Sequence, residues 1–357
     1  MRVAIRADAS AVIGTGHVRR CHSLAKALAA EGADVRFFTR DLGVDTAALL
    51  SPAVALHKLP APSAPPSLPY DGPAHLAWAG VSQDRDVADM LGAMGSEWSP
   101  DLVIVDHYAF DARWHEAVHA RTGARIAVID DLGDRPITAD FFIDHNWHED
   151  FGRKYAGRLA RPAEMLTGPG YALLDPLYAT APRHVPRDSV GSIGIFMGGG
   201  DAATSTAHVL DAIEAAGFDG AIEVVSTSAN PHLDALRERL AGNEKAVLSL
   251  DLPDLAAFFA RHDLHVGAGG GATWERFCIG APSVLLSFAL NHDHVLLPLR
   301  QLGLAEALPL GWDAKDLAGA IAKLASDPQL RRDFSVRGQS LVDGRGCQRV
   351  ADRLMDG

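Results

Sequence analysis

Two α/β domains with a cleft between them are what this sequence predicts, and three observations carry the prediction. At 357 residues the chain is too long for one ordinary core. Apolar strand-like runs alternate with segments of helical spacing, the rhythm of βαβ units on a parallel sheet. A strand that runs into a glycine turn and then a helix start occurs at Gly14, again at Gly198 and again at Gly269. Composition agrees, with 48% hydrophobic and 22% charged residues, and no apolar run approaches the roughly 18 residues that span a bilayer.

The first unit opens with a strand, Arg2 to Ala7, and the turn Ile13-Gly14-Thr15-Gly16-His17. Val18, Cys21, Ala25 and Leu28 then recur at helical spacing up to Glu31-Gly32, before a strand from Val35 to Thr39. Glycines let the backbone bend and a ligand approach the main chain, while the first amides of the helix stay unsatisfied. His17 stands at the mouth of that helix, where the positive end of the dipole opposes its protonation, so a neutral imidazole able to take a proton from water is expected there. The spacing Gly14-x-Gly16-x-x-Arg19 lacks the third glycine of a dinucleotide fingerprint, so no nicotinamide or flavin cofactor is expected.

Prolines between Pro52 and Pro73 read as a strand end followed by an irregular loop. A helix is expected over Ser82–Met94, then a buried parallel strand from Asp101 to Asp106, which puts Asp106-His107-Tyr108 at a carboxyl end where open α/β sheets bind ligands. The next helix carries His115-Glu-Ala-Val-His119, which fits a zinc hydrolase pattern. With no third ligand at a recognisable spacing, it reads as a solvated helix face, and no metal is expected. Strands Arg125–Ile129 and Phe141–Asp144 end in acidic residues, Asp130-Asp131 and Asp144, which could orient His17, hydrogen-bond a sugar or cap helices. Gly168-Pro-Gly-Tyr-Ala-Leu-Leu174 closes the half.

Proline and charge from Pro182 to Ser192 mark a boundary, so the domains are expected at 1–185 and 186–357. Strand Ile193–Met197 enters the turn Gly198-Gly199-Gly200-Asp201. Strand Glu223–Thr227 enters Ser228-Ala-Asn230-Pro231. The strongest feature here is Val266-Gly-Ala-Gly269-Gly270-Gly271-Ala272-Thr273-Trp274-Glu275, whose amides could hold a diphosphate and whose Glu275 suits a helix start or ribose hydroxyls. It lacks the P-loop pattern of an ATPase. Strand Ser283–Phe288 leads to Asn291-His-Asp-His294, and a last helix runs from about Cys347 to Met355.

A net charge of −12 argues against a nucleic-acid binder. Cys21, Cys278 and Cys347 lack metal or redox spacing, and Met1 leads straight into a strand pattern without an export signal, so a soluble cytoplasmic protein with reduced thiols is expected.

Taken in order, Gly14-Thr-Gly-His17, Asp106-His-Tyr108, Ile129-Asp-Asp131, Gly168-Pro-x-Tyr-Ala-Leu-Leu174, the turn at 198–201, Ser228-Ala-Asn-Pro231, Gly269 to Glu275 and Asn291 make the chain resemble a family nearly end to end. It is the UDP-sugar hydrolases of pseudaminic (nonulosonic) acid biosynthesis, which act on UDP-2,4-diacetamido-2,4,6-trideoxy-β-L-altropyranose and are similar to GT-B glycosyltransferases. Asp175 stands where that family has an arginine, and His145 where a glutamine is usual. The resemblance implies two Rossmann-like domains facing a central cleft, with UDP held mainly by the second. It implies His17 as the catalytic residue, with Asp8, Gly14, Gly16, Asp106, Tyr108 and Asn291 on the sugar. Gly199, Gly200, Asn230, Gly270, Gly271, Ala272, Thr273 and Glu275 would hold UDP. Water activated by His17 would attack the anomeric carbon with inversion and release UDP without a metal or cofactor, and Asp106, Tyr108 and Asp130 are all candidates to assist. The alternative is a GT-B glycosyltransferase that passes the sugar to an alcohol. A regulatory protein that binds a UDP-sugar without chemistry would leave His17 without a purpose.

Overall fold

The structure is a computed structural model that describes residues 1–63, 72–198, 205–228, 230–288 and 290–356, the side chains of 290 and 291 excepted. Two compact units emerge: Met1–Pro176 with Arg345–Gly357, and Leu177–Gly344. The boundary thus falls nine residues before the expected 185/186, and the last helix, expected in the second domain, belongs to the first.

Unit 1 is built from β1 (Arg2–Ala7), α1 (Gly16–Ala30), β2 (Asp34–Arg40), β3 (Ala55–Leu59), α2 (Gln83–Met94), β4 (Leu102–Asp106), α3 (Ala112–Thr122), β5 (Arg125–Ile129), β6 (Phe141–Asp144), a short α4 (Phe151–Lys154) and β7 (Glu164–Thr167). The strands form one parallel seven-stranded sheet in the order β3-β2-β1-β4-β5-β6-β7. Successive residues of a strand face opposite sides, so a strand covered on both faces must be apolar throughout. In β1, Val3, Ile5 and Ala7 face α1, while Ala4 faces the side of Met90 and Trp114 from α2 and α3.

Unit 2 runs through β8 (Ser192–Phe196), α5 (Ser205–Ala215), β9 (Ala221–Ser226), α6 (Leu233–Leu240), β10 (Ala246–Leu250), α7 (Ala256–Arg261), β11 (Leu264–Ala268), α8 (Ala272–Ile279), β12 (Ser283–Leu286), α9 (Leu290–Gln301), β13 (Glu306–Leu308), α10 (Ala314–Ser326) and α11 (Pro328–Leu341). Its parallel six-stranded sheet has the order β10-β9-β8-β11-β12-β13. The final helix α12 (Gly346–Asp356) returns to unit 1 and lays Cys347, Val350, Ala351 and Leu354 against Val18, Cys21, Ala25 and Leu28 of α1. Gly346 is needed for that return, because a Cβ there would stand 2.1 Å from the carbonyl oxygen of Ala172.

Strand order reverses between β1 and β4 in unit 1 and between β8 and β11 in unit 2. Helices leave to opposite sides at such a point and open a crevice beyond the carboxyl ends, where ligands of open α/β sheets bind. The turns after β1 and β11 stand at these two points.

Candidate active site

Past β1 the chain makes a tight loop in which the Gly14 amide donates to the carbonyl of Ser10 at 2.8 Å and the Ser10 hydroxyl accepts from the amides of Val12 and Ile13. Gly14 adopts φ 75°, a left-handed conformation that glycine takes without strain. Thr15 gives α1 no side-chain cap, and a Cβ at Gly16 would meet nothing within 4 Å. The amides of Gly16, His17 and Val18 have no acceptor among the described residues.

Beside this helix start His17, 8% exposed, sets Nδ1 2.6 Å from Oδ1 of Asp106, the last residue of β4. Arg20 lies three residues on along the same helix face and forks onto Asp106 through Nε at 2.6 Å and a terminal nitrogen at 2.7 Å. Burial works against the Asp106 charge, but Arg20 and His17 hold its carboxyl well below the usual carboxylate range. An ionised carboxylate only accepts, so the His17 Nδ1 carries the hydrogen, and in the neutral imidazole the lone pair is on Nε2. Asp131 adds a second carboxylate: it accepts from the Tyr108 hydroxyl, from the Asn146 amide at 2.8 Å, and lies 3.9 Å from Arg20. The group of Asp106, Asp131 and Arg20 carries a net charge of −1 beside a neutral imidazole and is balanced when His17 gains a proton.

The rings of Tyr108 and Trp78 stand edge-on to His17, with centroids 4.7 and 6.4 Å away. Of the three groups left open as assistants, Asp106 bonds the imidazole and Tyr108 packs against it. Asp130 faces away, accepting from Arg135 at 2.6 Å and from the Gly133 amide, with its carboxyl raised by burial.

Asp8 departs from expectation. It is fully buried and its carboxylate is engaged by Arg6, by the Arg40 amide at 2.7 Å and by the Thr39 hydroxyl at 3.2 Å, with His107 Nε2 at 3.2 Å. Arg6 and Arg40 also meet on Asp86. Asp8 therefore anchors a buried charge network and presents no exposed surface. His115 departs as well, being buried where a solvated face was expected; it accepts from the Thr138 amide, while His119 donates to the carbonyl of Ala124.

In unit 2 the turn after β11 is the counterpart. A Cβ at Gly267 would lie 1.8 Å from the Arg276 guanidinium, whose nitrogens donate to the carbonyls of Phe196 at 2.9 Å and Ala268 at 3.2 Å, tying together the ends of β8 and β11. Burial lowers Arg276 to about 10. The amides of Gly270, Gly271 and Ala272 have no acceptor among the described residues, and space around both glycines is open. Thr273 differs from expectation: its side chain is buried and its amide donates to the Gly270 carbonyl at 2.9 Å. Glu275 accepts from the Tyr178 hydroxyl, whose deprotonation burial and this carboxylate both oppose. Asn230, also expected on UDP, is buried, donates to the Ser226 hydroxyl and accepts from the His232 amide. Gly199, Gly200 and the side chain of Asn291 lie outside the described residues.

Sequence reasoning gave no role to Arg20, Trp78, Arg135 or Arg276. Only Arg20 had a usable signal, its i+3 spacing from His17.

Residues 15–181 match the model of the "Glycosyl transferase 4-like domain". The "Spore coat polysaccharide biosynthesis protein SpsG" of Bacillus subtilis (strain 168) is 26% identical over 262 residues, 72% of this chain and 76% of that protein. Among solved structures, MurG of Acinetobacter baumannii superposes with a TM-score of 0.66 at 12% identity, covering 100% of this chain and 99% of that one. The spinosyn rhamnosyltransferase SpnG complexed with thymidine diphosphate gives 0.67 at 15%, covering 100% of both chains. UGT2 of Phytolacca americana complexed with UDP-2fluoro-glucose and pterostilbene gives 0.68 at 11%, covering 99% of both. The fold, two parallel-sheet α/β domains, is that of GT-B glycosyltransferases. No helix among the described residues is long and apolar enough to cross a membrane.

Proposed function

We propose that the chain is an enzyme acting on a sugar nucleotide, with His17 as the base that deprotonates the nucleophile attacking the anomeric carbon. The observation that carries this reading is the Asp106–His17 pair at the switch point of the first sheet, which fixes the tautomer and leaves Nε2 as proton acceptor. As the nucleophile's oxygen bonds to the anomeric carbon, its proton passes to Nε2, and the bond from that carbon to the diphosphate oxygen breaks with its electron pair leaving on the nucleotide. Attack from the face opposite the leaving group inverts the carbon. Asp131 offsets the imidazolium that forms. The open amides of Gly270, Gly271 and Ala272, at the positive end of α8, suit a diphosphate, and UDP is the nucleotide assigned to them. Among the family's sugar contacts, Gly14, Gly16 and Tyr108 border the base, and Asn291 keeps its assignment from the resemblance alone.

Transfer of the sugar to an alcohol is the acceptor reading that the glycosyltransferase relatives support. Hydrolysis, of a UDP-2,4-diacetamido-2,4,6-trideoxy sugar, is the second reading. It draws on the motif order and on a base enclosed by Tyr108 and Trp78, which suits a nucleophile as small as water. Incubating purified protein with UDP-sugars of both kinds, without and then with alcohol acceptors, separates them by mass spectrometry. Free sugar formed by protein alone at a rate that acceptors do not change establishes hydrolysis; a glycoside formed only with an acceptor establishes transfer. No UDP release under any condition overturns both.

A further inference from the structure

Between the Pro-rich stretch and α2 lies a short 3-10 helix, Leu76–Ala79, anchored by buried Leu76 and Ala79 and closed by Gly80 at φ 68°, where a Cβ would strike Pro62 at 2.5 Å. This anchoring sets Trp78 in one place. It is only partly buried, packs one side on the core below, and stands in a cluster with His75 at 4.7 Å and Tyr108 at 5.7 Å between ring centroids. His75 lies 5.6 Å from Tyr108 and 3.8 Å from Asp134. In the proposed reaction Trp78 enters only as a ring beside the base, and His75 has no part.

Trp78 and Tyr108 border the base, and His75 stands against both of them. A base works within about 2.6–3.2 Å of the proton's oxygen, and that oxygen attacks from about 3–3.5 Å, so the anomeric carbon comes within about 7 Å of the base nitrogen. A pyranose placed so lies within reach of rings whose centroids are 4.7 and 6.4 Å from the His17 ring. A pyranose face rich in C–H bonds gains by packing on an aromatic ring, while its hydroxyls stay directed at polar groups on the rim. We infer that Trp78, with His75 at its edge, is the wall of a sugar subsite that packs on the C–H face of the pyranose being transferred and takes no part in holding the nucleotide. The inference rests on the proposed sugar-nucleotide activity.

Calorimetric titration of the full chain with UDP, with UDP-N-acetylglucosamine and with its 6-deoxy analogue tests it. With the tighter-binding of the two sugar probes, W78A should lose about tenfold in affinity and W78F no more than about threefold, and neither should change UDP affinity by more than twofold. H75A, which leaves the core contact of Trp78 in place, should lose about threefold on the sugar probe alone. Unchanged sugar affinity in W78A, or an equal loss for UDP, overturns the subsite. If W78A does not fold, H75A decides in the same way. A wild-type chain that binds none of the three probes overturns the proposed function itself, a result distinct from either variant outcome.

Discussion

The turns that open α1 and α8 are built alike and equipped differently. Each follows a strand at the reversal point of a parallel sheet, each starts a helix without a side-chain cap, and each leaves main-chain amides without acceptors among the described residues. Around the first stand an imidazole, two carboxylates and an arginine that share protons and charge. Around the second, Arg276 is spent on the carbonyls of Phe196 and Ala268, and the amides of Gly270, Gly271 and Ala272 are left without acceptors among the described residues. One geometry thus yields two kinds of chemistry: a helix start beside a carboxylate-held imidazole can move a proton, and a bare one can only hold an anion.

The sharpest way to break this comparison is H17A. It should lower kcat by about 10²–10⁴-fold and leave UDP affinity within twofold, as measured by steady-state kinetics and calorimetry. A normal kcat would remove the proton chemistry from the first turn. Next in size is G271D. Gly271 has helical backbone angles and open space, so aspartate fits, suits the positive end of α8 and places a negative charge where the diphosphate is proposed to sit. UDP affinity should fall about 10–100-fold while the melting temperature holds or rises; unchanged affinity would move the nucleotide elsewhere.

The smallest effect concerns acid stability. His145, buried near Arg20, is lowered to about 3 chiefly by burial, with Arg20 adding to it. A histidine depressed in the folded state contributes stability above its unfolded value of about 6.5, and that contribution is lost as pH falls from there toward 3. At pH 5 the loss is about 2 kcal/mol. H145Q keeps an acceptor for the Leu173 amide and should shrink the drop in melting temperature between pH 7 and 5 by about 4–8 °C. Buried His115, also lowered to about 3, keeps the remaining slope. An unchanged slope would show that His145 does not titrate as buried.

The sequence was legible where local pattern and tertiary role coincide. Both glycine turns, their strands and the pairing of His17 with a strand-end carboxylate could be read because an apolar run, a glycine and a helix start are short-range signals. Which acidic residue met His17 could not be read, since Asp106 and Asp130 both end strands and only the strand order places β4 next to β1. Asp8 and Asn230 occupy strand-end positions typical of ligand contacts, but their partners Arg6, Arg40 and Ser226 point inward, a fact that needs the packing. Proline and charge at 182–192 resembled a linker, whereas the contacts divide at Pro176 and again at Gly344. The apolar stripe of α12 showed that it packs, not on what.

That helix has a consequence for the order in which the chain is made. Everything in unit 2 is contiguous, Leu177–Gly344, and can fold as it leaves the ribosome. The seven-stranded sheet is finished by residue 167 and covers one side of α1, but the part of α1 that packs on α12 stays uncovered until residues beyond 344 have been synthesised. The half that carries His17 is therefore translated first and completed last, and for that interval its exposed helix face is open to chaperones and proteases.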